Sequence, residues 1–167
     1  MFSIIASVFL ALLQTTLQTA PVTGILIGIV KLPDGAKSAQ PAHVVLLSPK
    51  YTEVWNRQVQ QRLDNYWEDY KPEFAVHKER IAEFNRMSQV ESLRYVMSQM
   101  RRDLGVGASM LIKDTSANGQ FEFRGVPFGT YQLLVEVLAN GGEILWSRPV
   151  DVQTDVPVFV DLGKPVS

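Results

Sequence analysis

The sequence predicts a mainly β protein: seven short antiparallel strands forming a sandwich, with a helical hairpin inserted between the second and third strands. Three observations predict it. The stretches 21–49 and 105–167 are rich in Val, Gly and Pro and alternate with a period of two. The stretch between them, 50–104, changes to helical periodicity. That middle stretch also holds ten of the sixteen basic and nine of the seventeen acidic residues. Composition and periodicity therefore change at the same two points.

The chain opens without charge. No ionisable side chain precedes Lys31, Ile4 to Leu13 is almost wholly apolar, and Gln14 to Ala20 is small and polar. A short apolar core with a polar exit is the pattern of a secretory signal peptide, expected over 1–20. The apolar core is too short to cross a bilayer, which needs about 20 residues. The alternative is an N-terminal strand or a buried helix of the domain itself.

The strand signals then follow in order. Thr23 to Lys31 is a nearly continuous apolar run that closes on the turn Pro33-Asp34-Gly35. Ala42 to Leu47 is the second run and Met110 to Lys113 the third. Phe121 and Phe123 alternate with Gln120, Glu122 and Arg124, so both rings share one face. Tyr131, Leu133, Val135 and Val137 alternate with Gln132, Leu134, Glu136 and Leu138. Asn140-Gly141-Gly142 offers the positive φ angles of a tight hairpin before the run Glu143 to Val152. Val156, Val158, Val160 and Leu162 complete the set at period two.

Within the insertion, Ser48 and Pro49 read as the N-cap and first residue of a helix. Trp55, Val59, Leu63, Tyr66, Trp67 and Tyr70 follow at helical spacing. Pro72 lacks a donor and crowds the preceding turn, so the chain is expected to fold back there. A second helix from about Glu73 carries Phe74, His77, Ile81 and Phe84 on one face. Ser88 with Glu91 forms a candidate capping box and a second break. Leu93, Val96, Met97, Met100 and Leu104 continue at helical spacing to the glycines 105 and 107.

Composition excludes several functions. A net charge of −1, with a near-balance inside the insertion as well, argues against a nucleic-acid partner. The absence of cysteine removes disulfides, thiolate metal sites and a Cys nucleophile. His43 and His77 are the two histidines, and neither has another at helical spacing for a metal. No serine sits in a Gly-x-Ser-x-Gly elbow, and Gly105-x-Gly107 is too short for a phosphate loop. Asp64, Glu68 and Asp69 fit a solvated helix face answered by Arg57, Arg62 and Lys71. Asp114, Asn118 and Glu122 do not follow a calcium-loop pattern. No cofactor, metal or catalytic residue is expected.

One run goes further. Asn118-Gly119 supplies a turn, Phe121 and Phe123 two inward rings, and Pro127-x-Gly129-Thr130-Tyr131 a second corner. The run from Asp114 to Tyr131 resembles the signature of the carboxypeptidase regulatory-like domain. Gly24, Gly28 and Val30, together with Ala42 to Leu46, look like that family's first two strands. The resemblance implies a transthyretin-like seven-stranded β-sandwich, and covers 21–48 and 107–162. It resembles only the accessory part of such enzymes, so it implies no peptidase activity. The long insertion departs from the family's usual loop.

The functional expectation follows from the insertion. It holds eight of the sixteen aromatic residues, more than the seam between two helices needs. Trp55, Tyr66, Trp67 and Tyr70, with Trp146 in the β region, are the candidate binding residues. The bland alternative is that these rings are core. We expect a secreted or periplasmic, non-catalytic interaction module that recognises a protein or a polysaccharide through its helices. The mature chain is expected to have no transmembrane segment. Alternatives are a carbohydrate-binding module, which the sandwich's similarity to starch-binding-like domains suggests, and a cell-envelope structural or oligomerisation protein.

Overall fold

Alternation decides the first sheet. In strand β1 (Thr23–Val30), Leu26, Gly28 and Val30 turn inward while Ile25, Ile27 and Ile29 turn outward. The computed structural model describes residues 22–32, 40–139, 142–154 and 156–162, without the side chains of 74 and 75. The expected leader at 1–20, the turn at Pro33-Asp34-Gly35 and the Asn140-Gly141 hairpin tip lie outside the described residues.

The remaining strands are β2 (His43–Leu47), β3 (Ile112–Asp114), β4 (Gln120–Pro127), β5 (Gly129–Ala139), β6 (Gly142–Val152) and β7 (Val158–Leu162). They form two sheets, one ordered β4-β1-β7 and the other β3-β2-β5-β6. A shared core lies between the sheets. It draws Leu26, Phe123 and Val160 from one sheet and Val44, Leu133 and Trp146 from the other. The arrangement is sandwich-like. One part of the expectation is corrected: not every pairing is antiparallel, because β7 runs parallel to β1. The chain reaches β7 by leaving β6 in the opposite sheet, so no hairpin forces it to run antiparallel.

The turn residues do local work. Gly119 has φ of +75°, and a Cβ there would meet the Val30 carbonyl oxygen at 2.5 Å. Its own carbonyl accepts from the Val30 amide at 2.9 Å, tying the turn after Asn118 to the end of β1. Phe121 and Phe123 are buried with their rings 6.0 Å apart, edge to face. Tyr131 buries its ring and donates its hydroxyl to the Pro127 carbonyl at 2.8 Å, across the corner that Gly129 opens.

The four-stranded sheet is apolar on both faces. Leu133, Val135 and Val137 look into the sandwich. Val45, Leu47, Leu134 and Leu145 look the other way, against two helices. A strand buried on both sides reads as a continuous apolar run. Leu134 and Leu145 are the marks of a third layer in the sequence.

That layer is α1 (Pro49–Val76) and α2 (Glu79–Leu104), an antiparallel pair between β2 and β3. Among the described residues no helix is long and apolar enough to cross a membrane. The fold-back is not at Pro72. The helix runs through Pro72 to Val76, and the chain turns at His77 and Lys78. Pro72 and Glu68 are both exposed, so water can satisfy the Glu68 carbonyl that loses its helical donor. The His77 amide closes α1 on the Glu73 carbonyl at 2.7 Å. His77 is therefore a turn residue, not part of a helix face. There is no break at Ser88 either. Its side chain is buried and donates to the Phe84 carbonyl at 2.8 Å, bonding back one turn instead of capping. Gly105, at φ of +54°, ends α2, and a short 3-10 helix (Gly105–Met110) leads to β3.

Candidate interaction surface

The helical pair divides at its middle. At 28 and 26 residues, α1 and α2 are about 42 and 39 Å long. Their proximal halves cover the sheet. Tyr51, Val54 and Trp55 from α1 and Val90, Leu93, Val96, Met97 and Met100 from α2 are buried over Val45, Leu47, Leu134 and Leu145. Among the described side chains from Asn56 to Met87, none is buried. The distal halves form an arm beyond the sheet.

Specific contacts hold the arm together. Arg62 Nη1 donates to Glu91 Oε2 at 2.6 Å, and the Tyr66 hydroxyl donates to the same oxygen at 3.2 Å. Burial, with the Glu91 carboxylate beside it, pushes the Tyr66 phenol above its ordinary pKa. Further out, Phe84 lies 5.1 Å from the Tyr66 ring and 5.0 Å from the Tyr70 ring. Arg80 reaches back from α2 to Glu73 on α1 at 3.1 Å. The arm therefore has a defined shape without a core of its own.

Its outer surface is apolar in patches. Leu63, Trp67 and Tyr70 fall at i, i+4 and i+7 along α1. Trp67 is 46% exposed and Tyr70 37%. Ile81, one turn before Phe84, is 44% exposed, and Val76 at the tip is exposed too. Exposed large apolar side chains grouped on a two-helix arm are the surface feature that marks an interaction site.

The structure separates the five candidate binding residues. Trp67 and Tyr70 share the exposed arm, and Tyr66 stands half-buried beside them. Trp55 is buried in the helix–sheet core, with its indole nitrogen donating to the Gln89 carbonyl at 3.2 Å. Trp146 is 2% exposed inside the sandwich, in the other core. The histidines sit apart from the arm's rings, His43 against Asp114 Oδ1 at 2.6 Å and His77 against Glu79 Oε1 at 3.2 Å. Among the described residues no group of three His, Asp or Glu side chains could hold a metal ion.

Sequence reasoning missed the ionic clamp between α2 and the sheet. Arg94 Nη2 donates to Glu136 Oε1 at 2.7 Å and also to Glu143 Oε1. These partners lie 42 and 49 residues from Arg94. The one trace in the sequence is Glu136, an acid inside the otherwise apolar run 133–139.

No protein-family model matches the chain, and comparison with curated proteins finds no match. Two solved structures show a distant likeness. One is of a candidate carbohydrate binding protein from Pseudomonas aeruginosa: 15% identity, TM-score 0.37, covering 85% of this chain and 88% of that one. The other is the pilus backbone of Streptococcus pneumoniae: 11% identity, TM-score 0.29, covering 85% of this chain and 40% of that one. Likenesses at this level carry no argument about what this chain does.

Proposed function

We propose that this chain is a non-catalytic, secreted or periplasmic interaction module, and that the helical arm is its recognition surface for a protein partner. One observation carries the reading: the arm holds Trp67, Tyr70 and Ile81 out of both cores. Aromatic anchors on a preformed helical surface suit a groove in a partner protein. On this reading, 1–20 is an export leader. The stretches 21–49 and 105–167 form a sandwich related to the carboxypeptidase regulatory-like domain, and 50–104 is the functional insertion. The Gly119 turn and the Tyr131–Pro127 bond support that relationship.

The test is to shorten the arm. Replacing 58–86 with a tight turn removes the distal halves and keeps Tyr51, Trp55 and Leu93 on the sheet. Photo-cross-linking from position 67 in the exporting cell identifies the partner. The shortened protein is expected to stay folded and lose that partner. Undiminished binding by the shortened protein overturns the reading.

A second reading is polysaccharide recognition, favoured by the pairing of Trp67 with Tyr70 at i and i+3 on one exposed helix. Burial removes Trp55 and Trp146 from any sugar platform. Tryptophan fluorescence titration across a polysaccharide panel separates the readings. A response that depends on Trp67 supports the sugar. Light scattering tests the remaining alternative, in which arms pack between copies of a cell-envelope structural protein.

A further inference from the structure

The helix-covered face of the four-stranded sheet turns from apolar to polar at one end. Val45 and Leu134 give way to His43 and Glu136 on the neighbouring strands β2 and β5, and Glu143 follows on β6. A cleft of about 290 Å³ opens there, walled by the α2 face that carries Arg94, Met97 and Arg101. It lies at the opposite end of α2 from the arm tip, so it is independent of the proposed recognition surface.

The cleft has two unlike poles. At the first, Arg94 stands between the carboxylates of Glu136 and Glu143, one cation for two anions. Glu136 is 6% exposed, and its Oε2 has no hydrogen-bond partner. A buried carboxylate oxygen without a donor is costly, and its charge adds to the negative field at this pole. At the second pole, Arg101 meets no carboxylate within ion-pair distance among the described residues. His43 lies in the cleft wall directly across from Glu136 in the β2–β5 register, with its Nδ1 on Asp114 Oδ1, so it belongs to neither pole. Met97 and Leu138 give the cleft an apolar lining.

We propose that this cleft binds a short zwitterionic peptide. Its carboxylate pairs with Arg101, and its ammonium group with Glu143. The size follows from the helix. Arg94 and Arg101 are seven residues apart, about 10 Å along the axis. An extended chain covers about 3.3–3.6 Å per residue, so two or three residues bridge the poles. Either charge alone would leave one pole unanswered.

The experiment is calorimetric titration of the full chain with trialanine, N-acetyl-trialanine and trialanine amide. Trialanine is expected to bind saturably, and each blocked form at least about tenfold more weakly, about 1.4 kcal/mol at each end. Arg101→Gln is expected to abolish the preference for the free carboxylate while keeping that for the free amine. Glu143→Gln is expected to do the reverse. Both side chains are at least partly exposed, and circular dichroism confirms that each variant is folded. No binding of trialanine at about 10 mM, a limit near 3 kcal/mol, overturns the proposal. So does equal affinity for the blocked forms, or preferences that survive both substitutions.

Discussion

The indole nitrogen of Trp55 donates to the Gln89 carbonyl at 3.2 Å, joining α1 to α2 where the helices leave the sheet. The ring itself is buried against the sheet's second core. Trp55→Ala is expected to lower unfolding free energy by about 3–5 kcal/mol. Trp55→Phe should keep much of the packing and lose about 0.5–1.5 kcal/mol for the bond. Urea unfolding measures both, and equal losses would show that packing contributes nothing there.

Trp67 lies on the same helix and is exposed. Trp67→Ala should cost less stability than Trp55→Ala, because its ring lies outside both cores. It should also remove most acrylamide quenching of tryptophan fluorescence, because Trp55 and Trp146 are buried. Strong quenching in the variant would contradict that placement.

Gly28 lies beneath the Phe121 ring, and a Cβ there would come within 2.2 Å of Cζ. Gly28→Ala is expected to cost about 1–3 kcal/mol through overpacking. Replacing the ring too, as Gly28→Ala with Phe121→Leu, should recover part of that loss. Thermal melts of the single and double variants form the cycle that measures this coupling.

Asp103 accepts from Lys50 Nζ at 3.2 Å and from the Tyr51 hydroxyl at 3.1 Å. The Lys50 hydrogen bond, then the one from Tyr51, holds its carboxyl below the ordinary carboxylate pKa. A depressed folded pKa adds stability above the unfolded value, about pH 4, and loses it as pH falls through the folded one. Asp103→Asn should therefore be less stable than the parent at pH 7. The gap should close below about pH 4. Urea midpoints across that range test the sign.

Local signals carried most of the strand pattern. Phe121 and Phe123 alternated, Gly119 marked its turn, and both rings lie inside. The parallel placement of β7 was not legible, because strand direction in a sheet depends on where a distant connection lands. Pro72 misled because its usual cost falls when the orphaned carbonyl faces water. Ser88 misled because a serine three residues before a glutamate has two outlets for its hydroxyl. Here it bonds back to Phe84, while Glu91 serves Arg62 and Tyr66. The aromatic candidates could not be sorted by spacing alone. Trp55 and Trp67 differ only in whether the sheet still runs beneath them. The cleft pairs Arg94 with residues 42 and 49 positions away, beyond any local pattern.

The parallel β1–β7 pair has a mechanical consequence. Leu26 to Val30 stand in register with Val158 to Leu162. Tension applied between the start of β1 and the end of β7 pulls the two strands past each other along their length. Their ladder bonds, evenly spaced in a parallel pair, then share the load instead of opening one by one like a zip. Held by those two points, the sandwich resists stretching as a lap joint does, and rupture under load is set by how fast that joint lets go.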